Sequence, residues 1–202
     1  MIGLPAVALA ACTTTRNPVV EEPRIDPYYQ AMYGAIYDDK FPIPAMDLRR
    51  VDPQFWRQEV PYITTERPGT IVVDTPNRFL YLVTGNGKAR RYGVGVGKPG
   101  FEWAGTHRVT RKAEWPGWTP PREMIAREAA KGHYLPAHME GGPENPLGSR
   151  ALYLGSTLYR IHGTNAPWTI GYGVSSGCIR MRNEDVVDLY ERVPVGTKVI
   201  VI

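Results

Sequence analysis

Short β-branched runs, separated at close intervals by glycine and proline, constrain this chain more than any other feature. Thr70–Thr75 reads TIVVDT, Pro76-Asn77 turns it, Arg78–Val83 alternates as RFLYLV, and Gly85-Asn86-Gly87 is a hairpin signal. Ala89–Gly97 continues as a glycine-bearing strand and Arg108–Trp115 as a fourth. A chain with 21 Gly and 19 Pro is interrupted too often for long helices. The pattern predicts a β-meander, mainly β with some α, with long loops and short helices.

Beyond the meander, Thr119-Pro120-Pro121 opens a helical run that ends at Gly132, with Thr as the cap, Pro in the first turn and Gly at the stop. Residues 133–149 read as a loop of a length often found in functional lids. Ala151–Leu154 and Leu158–His162 read as strands, and Thr197–Ile202 as the closing strand. Asn183–Val193 reads as a helix capped by Asn183, with Val186, Leu189, Tyr190 and Val193 on one face. Upstream, Tyr28, Tyr29, Met32, Tyr33, Ile36 and Tyr37 recur at helical spacing, which predicts a short helix packed on the domain. Pro42, Pro44, Pro53, Pro61 and Pro68 then punctuate an extended path. The expected organisation is a leader and polar tether over 1–27, a helical and extended segment over 28–68, and a folded domain over 69–202.

Composition narrows the partners. With 43% hydrophobic and 22% charged residues the chain is globular rather than disordered. The net charge of +4 suits an acidic polymer. The basic residues are scattered, as in Arg49-Arg50, Arg90-Arg91 and Arg111-Lys112, with no run of five or more, so no nucleic-acid partner is expected.

The two cysteines are Cys12 and Cys178. Leu9-Ala10-Ala11-Cys12 follows a short apolar stretch and ends in small residues, as a processing site does. It resembles the lipobox of bacterial lipoproteins, although no Lys or Arg lies between Met1 and Cys12. That resemblance implies acylation of Cys12, and Thr13 after it implies transfer to an outer membrane. No apolar run reaches the about 18 residues of a spanning helix, so the anchor would be lipid alone. Cys178 is then left as a free thiol.

Two segments carry the chemistry: Tyr159-Arg160-Ile161-His162-Gly163-Thr164-Asn165 and Ser175-Ser176-Gly177-Cys178-Ile179-Arg180-Met181. Gly177 lets backbone approach closely and turns consecutive N–H groups toward one spot, as an oxyanion hole requires. A free thiol with a pKa near ~8.5 is mostly protonated at neutral pH. It needs a base, and His162 is the candidate. His107, His133 and His138 lack comparable flanks and are expected on surfaces or loops. No Cys-x-x-Cys or His-x-x-x-His spacing is present, so neither metal nor cofactor is expected.

Ile161-His162-Gly163-Thr164 followed by Ser175-Ser176-Gly177-Cys178-Ile179-Arg180-Met181 resembles the catalytic motif of the L,D-transpeptidase (YkuD-type) family. The likeness extends through Gly69–Val73, Tyr92–Gly97, Trp115–Pro120, Asn145–Tyr153 and Val193–Val199, and so covers residues 65–202. It implies a mixed β-sandwich-like catalytic domain. It implies Cys178 as nucleophile, His162 as proton donor and acceptor, and the Gly163 carbonyl as the group orienting the imidazole. The N–H groups of Gly177 and Cys178 would hold an oxyanion. Arg180, Ser176, Thr164 and Asn165 would contact substrate, and Ser176 stands where the family often has His.

The reaction implied is attack on a peptidoglycan tetrapeptide stem, loss of D-Ala and formation of a thioester. The acyl group then passes to a second stem to give a 3–3 crosslink, to an outer-membrane protein, or to water. The resemblance also implies a place in the periplasm or envelope of a Gram-negative bacterium, and a monomer is expected there. A hydrolase using the same site, either an L,D-carboxypeptidase or a crosslink-cutting enzyme, and an inactive peptidoglycan-binding lipoprotein are the competing readings.

Overall fold

The β-branched runs do form strands, and their neighbours decide how far each extends. The computed structural model describes residues 24–202, so Cys12 and its expected lipidation lie outside the described residues. The strands are β1 (Gln58–Pro61), β2 (Ile71–Asp74), β3 (Phe79–Gly85), β4 (Lys88–Gly93), β5 (Val96–Gly97), β6 (Gly105–Glu114), β7 (Arg150–Leu154), β8 (Arg160–His162), β9 (Gly173–Ser175), β10 (Ile179–Arg180) and β11 (Lys198–Val201). The helices are α1 (Pro27–Met32), α2 (Arg122–Ala129) and α3 (Asn183–Arg192).

Nine strands pair in the order β1-β4-β3-β2-β11-β6-β7-β8-β10, and β5 pairs separately with β9. The sheet is mixed: β11 runs parallel to β2 and antiparallel to β6, and β10 runs parallel to β8. The β6–β7 register shifts between Val109 and Arg111, the kind of irregularity that bends a sheet and raises its twist. As a result Ile71 and Val73 from β2, Leu80 and Leu82 from β3, Leu152 and Leu154 from β7, and Ile161 and Ile179 from β8 and β10 share one buried cluster. α3 closes it with Val186 and Leu189. This is the mainly β, sandwich-like domain expected, built from one nine-stranded mixed sheet and the short β5–β9 pair.

Several local expectations need correcting. The β3–β4 hairpin turns at Asn86 and Gly87, both with positive φ, as the sequence indicated. The strand expected over Ala89–Gly97 breaks after Gly93. A Cβ there would lie 2.6 Å from Phe55 Cβ, and the chain leaves this close packing for β9. α1 stops at Met32, because Gly34 follows and Ile36 is drawn into an antiparallel bridge with Ile43, so Tyr37 is exposed rather than on a helix face. Thr119 does not cap α2. The cap position is Pro121, and Thr119 Oγ1 instead meets His138 Nδ1 at 2.9 Å. Asn183 is the first residue of α3 rather than its cap, and its Oδ1 accepts from Ser149 N at 3.0 Å and Thr164 N at 3.2 Å.

Residues 28–68 are woven into the domain. β1 pairs with β4 at the sheet edge. Tyr33, Leu48 and Trp56 make a second buried cluster. Arg57 meets Asp188 at 3.2 Å, Arg182 donates to the Phe55 carbonyl at 2.7 Å, and Tyr33 Oη lies 3.3 Å from Asp185. These ties fix α3, the helix that begins just after β10.

Candidate active site

Strand alternation places the candidate residues. In the parallel β8–β10 pair, Ile161 faces Ile179 and His162 faces Arg180. Both isoleucines are buried in the core. Arg160 and His162, and across from them Cys178 and Arg180, therefore project to the other face. All four line one cleft of about 790 Å³. Its opposite wall comes from Phe101, from Met124 and Arg127 of α2, and from Leu135 and Leu147 of the 133–149 loop.

His162 is buried, its Nδ1 lies 2.5 Å from the Gly163 carbonyl, and the Leu147 backbone also bears on the ring. Burial first, then the Arg180 and Arg160 cations, push its pKa down to about 3, so the imidazole is neutral. The Cys178 thiol is half-buried and donates weakly to the Leu158 carbonyl at 3.8 Å. Burial raises its pKa, while Arg160 and Arg180 pull in the opposite direction. Arg180 has no carboxylate partner among the described residues, and its buried Nε is unsatisfied. Arg160 donates only to the Leu158 carbonyl and packs against the Tyr153 ring. The cleft floor thus holds a neutral imidazole, a thiol and two cations without carboxylate partners among the described residues.

Gly177 has φ +102°, a conformation open to glycine, and a Cβ there would sit 2.5 Å from the Tyr159 ring. Its N–H is engaged within the turn, donating to Ser175 Oγ at 3.1 Å. Ser175 Oγ donates in turn to the Cys178 carbonyl at 2.6 Å. Ser176 lines the cleft, where its hydroxyl accepts from Arg127 at 3.1 Å.

Thr164 and Asn165, expected to touch substrate, do not line the cleft. Thr164 Oγ1 accepts from Ala166 N, and Asn165 Nδ2 donates to the Glu144 carbonyl. Both fasten loops instead. His133 lines the cleft rim beside Glu128, 3.5 Å away, while His107 meets the Trp103 ring edge. Sequence reasoning passed over Arg160 as a site residue, although its place two residues before His162 in a strand puts it on the same face. Arg127 had no such signal, because nothing local places α2 over the cleft.

A family model of the L,D-transpeptidase catalytic domain, YkuD, matches residues 68–201. The chain belongs to that family. Among curated relatives it is 43% identical over 139 residues to the probable L,D-transpeptidase YbiS of Escherichia coli K12, covering 67% of this chain and 44% of that protein. It is 42% identical over 142 residues to the probable L,D-transpeptidase ErfK/SrfK of the same strain, covering 68% of this chain and 45% of that one. The chain spans under half the length of these relatives.

Among solved structures, one from Brucella melitensis, named a probable carnitine operon oxidoreductase, is 52% identical over 77% of this chain and 99% of that one, with a TM-score of 0.50. An L,D-transpeptidase from Mycobacterium smegmatis shares the fold at 20% identity and TM-score 0.52, over 66% of this chain and 58% of that one. The oxidoreductase name differs from the names of the curated relatives, and it is a statement about that protein.

Proposed function

We propose that this family member is a cysteine-dependent L,D-transpeptidase of the cell envelope, acting on peptidoglycan stem peptides. The observation that carries this reading is the set of four side chains on the β8–β10 face. Cys178, neutral His162 and two cations without counter-ions share one cleft in the family's fold.

Cys178 attacks the carbonyl carbon of the amide that joins the L-centre of diaminopimelate to the terminal D-Ala. Its thiol proton passes to His162, which suits the starting states, a protonated thiol and a free imidazole. Arg160 and Arg180 stabilise the developing thiolate, and Arg180 is placed to take a stem carboxylate. The C–N bond breaks, His162 hands its proton to the departing amine, and a thioester remains on Cys178. An acceptor amine then attacks the thioester, His162 takes the amine proton, and the thiol is regenerated. With Gly177 N–H held by Ser175, the oxyanion donor left in the turn is the Cys178 N–H. The Gly163 carbonyl fixes the tautomer of His162.

The test is to incubate the soluble domain with a disaccharide-tetrapeptide and follow intact mass and products. Loss of D-Ala with a stem dimer joined through two diaminopimelates establishes the transpeptidase. Tripeptide without dimer establishes a carboxypeptidase. No thioester and no product from well-folded protein rejects the reading.

A further inference from the structure

The turn that carries Cys178 is gripped from outside by an indole. Trp103 Nε1 donates to the Gly177 carbonyl at 2.6 Å. The Trp103 ring stacks on Tyr159, with centroids 4.3 Å and planes 3° apart, and His107 meets it edge-on at 5.2 Å. Tyr159 is the ring that excludes a side chain at Gly177. Ser175 Oγ occupies two more of the turn's polar groups, the Gly177 N–H and the Cys178 carbonyl. Among the described residues, the Cys178 N–H donates to no protein atom.

The Gly177 carbonyl and the Cys178 N–H belong to one peptide unit, and no peptide bond in the described chain is cis. In a trans amide the C=O and N–H point in opposite directions. Fixing the oxygen therefore fixes the direction of the N–H, away from Trp103. The surroundings agree: Trp103 lines a separate cavity of about 370 Å³, whereas Cys178 lines the main cleft. A hydrogen bond accepted by the carbonyl also polarises the amide and makes its N–H a better donor.

We propose that Trp103 is a positioning residue that aims and strengthens the Cys178 N–H as the oxyanion donor. This rests on the thioester chemistry proposed above. Trp103 is not among the residues that line the main cleft; it acts through the one amide plane it holds.

Trp103→Phe keeps a ring on Tyr159 and removes the N–H. The expected result is acylation by a tetrapeptide stem slowed about tenfold, short of the ~10²–10³ lost when an oxyanion donor is removed outright. KM and melting temperature stay near wild type. The Cys178 amide proton resonance of the ligand-free protein moves upfield, because its amide is no longer polarised. A wild-type acylation rate in the variant, or a slowed rate with an unmoved resonance, overturns the proposal. If Trp103→Phe fails to fold, benzothienylalanine at 103 places sulfur where the N–H was and carries the same two measurements. If the wild-type protein forms no acyl-enzyme, the function reading fails by itself and the resonance alone decides: a change sustains the grip on the amide, no change overturns it.

Discussion

Arg180 stands directly across the parallel ladder from His162, and no carboxylate answers its charge among the described residues. After burial, this cation is the largest cause of the depressed His162 pKa of about 3. In the proposed mechanism His162 takes a proton and must start neutral, and its low pKa keeps the imidazole unprotonated far into acid. In Arg180→Met the cation is gone and the His162 pKa rises, so protonation disables it at higher pH. The acid limb of the kcat/KM profile should move upward in pH, while Arg180→Lys leaves it near wild type. If Arg180 holds a stem carboxylate, KM in Arg180→Met also rises, by about 10–100-fold for a lost charge-assisted bond. An unmoved acid limb would remove Arg180 as the group that sets the histidine.

The resting thiol should be sluggish. Burial raises the Cys178 pKa above the ordinary thiol value, and Arg160 and Arg180 only partly offset this. Iodoacetamide alkylation, followed by intact mass, should therefore be slower at pH 7 than for a free thiol, with an apparent pKa above that of free cysteine. Arg160→Gln removes a thiolate-stabilising charge and should raise the apparent pKa further. An apparent pKa below 7, about where activated cysteines titrate, would show a preformed thiolate pair instead.

What the sequence disclosed follows from which forces are local. The alternation of RFLYLV and the Asn86-Gly87 turn are near-neighbour effects, and both appear in β3, β4 and their hairpin. The spacing of Arg160, Ile161 and His162 likewise fixes which side chains share a face. Thr119 and Asn183 carried the right chemistry for helix caps, yet distant partners claimed them: His138 in one case, the backbone of Ser149 and Thr164 in the other. No local pattern shows that Trp103 reaches Gly177 or that Arg57 reaches Asp188, because those contacts exist only after the sheet has curled.

Gly177→Ala should cost both fold and function. The new Cβ would sit 2.5 Å from Tyr159 Cε1, against an aromatic ring pinned by Trp103. The φ of +102° also penalises any L side chain, typically by about 1–3 kcal/mol. Thermal melts should show a lowered midpoint, and acylation should fall more than in Trp103→Phe, because the turn itself is displaced. Wild-type acylation in Gly177→Ala would mean that the turn tolerates a different backbone path.

Asp188 gathers Arg57, Arg90, Arg192 and the Tyr92 hydroxyl. Burial would raise its pKa, but hydrogen bonds and cations hold it at about 2. Its folded pKa lies below the unfolded value, so its stabilisation is present above about pH 4 and is lost as pH falls toward 2. Asp188→Asn removes the nearer of the two carboxylates that face the buried Arg57 guanidinium, leaving Asp185 at 3.9 Å, and should lower stability by about 1–3 kcal/mol at pH 7 in denaturant titration. That deficit should narrow as pH falls from 4 toward 2, where wild-type Asp188 takes up its proton.

Glu184, four residues earlier on α3, has the opposite sign. It is buried, and desolvation lifts its pKa from 4.5 to about 7, with Asp185 adding to the lift. Between those values the folded state holds a proton that the unfolded chain has released. Stability from this group is therefore complete below pH 4.5 and falls as pH rises to 7. Glu184→Gln mimics the protonated form at every pH. The melting temperatures of variant and wild type should coincide near pH 4 and separate in favour of the variant by pH 8. The corresponding stability gap should be on the order of 3 kcal/mol, since a tenfold change in proton affinity corresponds to about 1.4 kcal/mol. A variant less stable than wild type at pH 8 would show that the carboxylate charge is used by Arg57 and Arg182, both of which favour ionisation.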